Sequence, residues 1–198
     1  YIIFYRGLLI ISIIVFIFSI SYNIYANYNR IKDERLSDGI KDSFNISILY
    51  ANNQKNLTTE YESNNKKFSV IGIIKIDSIK ISYPILSNID DELLKISLNK
   101  FWGGKPNEVG NYCIVGHNYD GKDIMFGKLN RIKNGDVVEL EDSTGRTLTY
   151  KVYNIFIVDP TDVACTSQLT NGKTEITLIT CAEGGKRRLV VKCRAIDA

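Results

Sequence analysis

From Ile2 to Ile20 the chain is almost unbrokenly apolar, IIFYRGLLIISIIVFIFSI, with Arg6 as its one charge. About 20 such residues suffice for a helix to cross a bilayer. Tyr22, Tyr25 and Tyr28 follow the run, where aromatic side chains favour the membrane–water interface, and Arg6 has the reach to snorkel toward one headgroup layer. A cleaved signal peptide is the alternative, but SISYNIYANY carries no strong small-x-small cleavage pattern. Residues 1–28 are therefore read as an N-terminal transmembrane anchor. Residues 29–67 are rich in Asn, Lys, Asp, Glu and Ser without a sustained apolar stripe, and predict a solvated stalk with short helical pieces.

From Phe68 the pattern changes to short runs of Ile, Val and aromatic residues between turn signals. SVIGIIKID and IKISYPIL read as strands around a DSIK turn, and GNYCIVGHN as a third strand ending at Gly116 and His117. DVVELED and TLTYKVYNIFIVD flank an STGR turn, and TEITLITC and RRLVVKCRAI close the chain. DDELLKISL opens with acids and has the spacing of a short helix, as does IMFGKLNRIK before NGD. Many short strands with no helix alternating between them predict one all-β domain over residues 68–198, a closed or nearly closed barrel.

Composition narrows the functional classes. The 198 residues suffice for one domain with a core plus an appendage. A net charge of +3 without a dense basic block in the folded part gives no support for nucleic-acid binding. His117 is the only histidine and the four cysteines form no CxxC pair, which disfavours histidine-rich or structural zinc sites.

Three residues point to chemistry. His117 follows a strand and a glycine, in a loop that can present a side chain to a cleft. Cys181 ends the strand TEITLITC, and Arg188 lies seven residues on, at the start of the next strand. That separation suits two antiparallel neighbours joined by a tight turn. A thiol becomes an effective nucleophile as thiolate, which a nearby cation favours. A guanidinium offers fixed donors to a developing oxyanion, and an imidazole can shuttle the proton between thiol and amine. Cys, His and Arg together suit acyl transfer through a thioester. Arg187 competes with Arg188, since adjacent strand residues face opposite sides.

TLITC followed by RLVV, with GNYCIVGHN and FGKLNRIKNGDVVEL upstream, resembles the sortases, membrane-anchored cysteine transpeptidases of Gram-positive bacteria. The likeness runs from Phe68 to Ile196, and the short Cys-to-Arg connection is most like class D. The resemblance implies an eight-stranded β-barrel with one or two short helices, lying outside the cell. It implies His117 as acid/base, Cys181 as nucleophile and Arg188 as transition-state stabiliser, without a cofactor. It also implies cleavage of an LPxTG-like sorting signal on surface proteins between Thr and Gly, and transfer to an amine of a cell-wall precursor. The alternatives are a binding module without catalysis and a peptidase that only hydrolyses. Cys113 and Cys193 read as core fillers with a disulfide between them possible, Cys165 as a groove-border residue, and Trp102 as barrel packing. The acidic stretches NIDDEL and LEDSTGR lack a defined calcium-ligand spacing and read as solvated loops.

Overall fold

A computed structural model describes residues 2–51, 60–63 and 66–196. Eight strands close into a barrel, in the order β2 (Lys66–Ile76), β3 (Ile81–Leu86), β4 (Leu98–Trp102), β5 (Gly110–Val115), β8 (Thr174–Ala182), β9 (Arg187–Ala195), β7 (Thr147–Val158) and β6 (Val137–Asp142). Pairing of β2 with β6 completes the ring. A ninth strand, β1 (Glu60–Ser63), extends β2 as an outer hairpin. Two pairings are parallel, β3 with β4 and β5 with β8. Closure leaves no long open edge among the eight, and the inward positions of the alternating strands fill the interior. Ile74, Ile114, Leu140, Tyr150, Ile176, Leu178 and Val191 are wholly or almost wholly buried in one cluster.

The helix α1 (Ile2–Ala51) is the main departure from the sequence pattern. Its first part is long and apolar enough to cross a membrane and is uncovered by the barrel. From residue 29 to 51 the polar stretch that reads as a stalk of short pieces continues the same helix instead; its residues 60–63 and 66–67 are strand, and 52–59 and 64–65 lie outside the described residues. Ile40, Phe44 and Ile48 form a stripe at helical spacing, too narrow to stand out among polar neighbours. It packs with Phe68, Val70, Ile73 and Leu86 and with Leu93 and Ile96 of α2 (Asp91–Ile96). Glu34 accepts a 2.6 Å hydrogen bond from the Tyr83 hydroxyl, a second tie between helix and barrel.

Three smaller expectations change. The IMFGKLNRIK segment forms only a 3₁₀ turn at Leu129–Arg131 within a looped connection. Trp102 is 58% exposed and is not barrel packing. In the LEDSTGR stretch Asp142 is buried rather than solvated, and its carboxylate accepts from Thr144 N and Oγ1, Arg146 N and Asn107 Nδ2.

Candidate active site

Three adjacent strands bring the predicted residues to one end of the barrel. β5 runs parallel to β8 as far as Val115 opposite Ile179, and just past that pair hydrogen bonds joining the residues beside His117 to Thr180 and Cys181 hold His117 next to Cys181. β9 runs antiparallel to β8 with Arg188 directly opposite Cys181. Laterally paired positions present their side chains on the same face, and neighbouring strands lie about 4.7–4.9 Å apart. His117, Cys181 and Arg188 thus form a row across the sheet, and all three line one groove of about 260 Å³. Arg187 does not. It pairs with Ala182, and its Nε lies 3.2 Å from Asp159 Oδ1 as an ion pair without hydrogen-bond alignment.

Local chemistry fixes each end of that row. A Cβ on Gly116 would come within 2.3 Å of Leu98 and 2.9 Å of Phe126, so any larger residue there would push two buried side chains aside before the chain turns out at His117. Thr180 Oγ1 donates to Gly116 O at 2.7 Å, and Asn118 Nδ2 donates to Cys181 O at 2.8 Å. These two contacts lash the residues flanking His117 to those around Cys181. Sequence reasoning missed both; the only signal was a threonine amid apolar strand residues and an asparagine beside the histidine. Between β8 and β9, Gly184 and Gly185 take φ values of 65° and 91°, which makes the turn tight enough for Arg188 to return beside Cys181. Arg188 Nη1 donates to Gly185 O at 2.9 Å and to Arg187 O at 3.0 Å. Its Nε and Nη2 have no partner among the described residues. The fork is held by one nitrogen and open at the others.

Burial pushes His117 below its ordinary value of 6.5; Asp91 opposes that shift and Lys95 adds to it. A folded-state value below the unfolded one means that the unfolded chain binds more protons beneath pH 6.5. The stability His117 contributes is therefore whole above pH 6.5 and is lost as pH falls below it. The drop in melting temperature between pH 7.5 and pH 5.5 is expected to be smaller for His117→Gln than for the native chain. Identical drops would contradict a neutral, half-buried imidazole.

The other cysteines separate by environment. Cys113 and Cys193 are fully buried and all four thiols are free. Burial raises Cys113 to about 11 and drives Cys193 upward as well. Cys165 lines the same groove as Cys181, but burial also raises its thiol, and its carbonyl is clamped by Asn111 Nδ2 at 2.9 Å and Lys192 Nζ at 3.1 Å.

A sortase-domain family model matches residues 74–196, well over half of the chain. The chain belongs to the sortase family. This sortase is 33% identical over 130 residues to sortase A of Bacillus anthracis, a match covering 63% of this chain and 59% of that protein. It is 24% identical over 154 residues to sortase A of Listeria monocytogenes, covering 71% and 68%. Among solved structures it resembles sortase A from Corynebacterium diphtheriae, with a TM-score of 0.59 and 28% identity over 65% of this chain and 61% of that one. The likeness to a Clostridium perfringens sortase D5 transpeptidase is one of fold, with a TM-score of 0.63 at 23% identity, covering 82% and 96%. The sortase thus spans about three fifths of the first curated relative.

Proposed function

We propose that this protein is a membrane-anchored cysteine transpeptidase that cleaves an LPxTG-like sorting signal between Thr and Gly and transfers the acyl part to a cell-wall amine. The observation that carries the reading is the row of His117, Cys181 and Arg188 across β5, β8 and β9 in one groove. Ile89, Leu94, Val163, Ile179 and Val190 line that groove and suit the apolar residues of such a signal. The turn at Glu183–Gly185 is the short connection on which the class D reading rests. The anchor is the apolar part of α1, with the barrel on the outer side of the membrane.

In this mechanism the neutral imidazole of His117 takes the Cys181 thiol proton as Sγ attacks the threonine carbonyl. The carbonyl oxygen gains negative charge and is met by the open donors of Arg188. Collapse breaks the Thr–Gly bond, and the imidazolium hands its proton to the departing glycine amine, leaving a thioester on Cys181. An incoming amine attacks that thioester, gives a proton to His117 and forms the new amide. The Cys181 thiolate then leaves and recovers its proton from His117.

The test is product analysis of the full chain in detergent with an LPxTG-containing peptide, with and without an amine acceptor such as triglycine. The amide product is expected only with the acceptor, and Cys181 is expected to carry the acyl group when the reaction is quenched early. Equal hydrolysis in both arms would make the protein a peptidase, and no thioester in either arm would leave it a binding module.

A further inference from the structure

The apolar run of α1 ends at Ile20, yet the helix meets the barrel almost at once, with Asn29, Arg30 and Asp33 half-buried. Between this part of α1 and the barrel lies a second cavity, of about 910 Å³, lined by the helix from Ile20 to Asp33 and by Lys95, Tyr119 and Lys122. Among the described residues of its wall, three cations, Arg30, Lys95 and Lys122, face it with Asp33 as the one carboxylate. Lys95 is paired with Glu92 at 2.6 Å, whereas Arg30 and Lys122 make no ion pair among the described residues. Asn27 Oδ1 accepts from Arg30 Nη2 and so orients the guanidinium.

The position of the cavity selects its ligand. Ten residues of helix separate Ile20 from Arg30, about 15 Å. Side chains on a helix lean toward its N-terminus, so Arg30 leans back toward the membrane-spanning part. If the apolar run spans a bilayer, a groove holding two cations outside any ion pair just past its end lies at the depth of lipid phosphates, to which planar and point-charge cations both bind. On the barrel side Tyr119 packs edge-on against His117 with ring centroids 5.8 Å apart, so this wall of the cavity touches the catalytic candidate.

We propose that this cavity binds the phosphate of an anionic lipid headgroup from the bilayer that α1 enters, held by Arg30 and Lys122. Such a lipid would bridge helix and barrel and settle the His117 loop against the membrane face. The inference rests on the anchor reading of α1. Its test uses the full chain in nanodiscs of mixed phosphatidylcholine and phosphatidylglycerol, then native mass spectrometry of the detergent-released protein. The native chain is expected to retain phosphatidylglycerol in preference to phosphatidylcholine. Each basic side chain near an anionic surface is worth about fivefold in partitioning. Arg30→Gln with Lys122→Gln should therefore cut retention about 25-fold. Lys173→Gln with Lys186→Gln, both outside the cavity, should retain it as the native chain does. Equal retention by both double variants, or no preference between the lipids, would overturn the site while leaving the anchor intact. A native chain that fails to enter nanodiscs would overturn the anchor, and the site with it.

Discussion

Cys181→Ala is expected to remove transpeptidation entirely and to leave the melting temperature nearly unchanged. The side chain is half-buried at a groove, and the substitution deletes a single sulfur, so the stability loss should stay below about 1 kcal/mol. Catalysis has no substitute nucleophile in reach. Cys165 shares the groove, but burial raises its thiol; Cys113 is buried on the outward-facing side of β5 and Cys193 in the barrel core, and burial raises both of those thiols as well. Cys113→Ala, Cys165→Ala and Cys193→Ala should each keep activity, the two fully buried ones at some loss of stability. Activity is read as amide product per folded enzyme. Substantial transfer by Cys181→Ala, or loss confined to Cys165→Ala, would move the nucleophile to the loop before β8.

Arg188→Lys should lower kcat/KM by about 10²–10³-fold, the usual loss when one transition-state donor is removed. The charge stays, but the planar fork does not. Arg188 spends Nη1 on Gly185 O and Arg187 O, which orients its remaining donors; a lysine has no second nitrogen to aim once its ammonium is held there. Arg187→Lys should change the rate little, because Arg187 pairs with Ala182 rather than Cys181 and meets Asp159 away from the row of candidate residues. Circular dichroism of both variants checks that each is folded. The reverse pattern would hand the role to Arg187, and small equal effects would leave the mechanism without its third member.

The sequence by itself carried the membrane-length helix, the barrel and the three candidate residues, because each leaves a local mark. A nineteen-residue, mostly apolar run, short Ile- and Val-rich strands between turns, and a cysteine and an arginine seven residues apart can all be read without knowing what lies beside them. Alternation alone left Arg187 and Arg188 open and only the family pattern favoured Arg188, since alternation tells that two neighbours differ in face but not which face is which. The register did that: Arg188 pairs with Cys181, and Arg187 with Ala182.

Other features were set only by contacts distant in sequence. His117 reaches Cys181 because β5 pairs in parallel with β8, a neighbour more than 60 residues away, and no local pattern announces that pairing. The ties from Asn118 and Thr180 exist only once those strands are side by side. The helical continuation of α1 through its polar half follows the same rule. Three apolar side chains are too few to mark an amphipathic helix in a polar sequence, but packed against Phe68, Val70 and α2 they bury enough surface to hold it. Exposure of Trp102 at the end of β4 and burial of Asp142 under four donor groups were likewise decided by what the barrel brought near them, not by their own residue types.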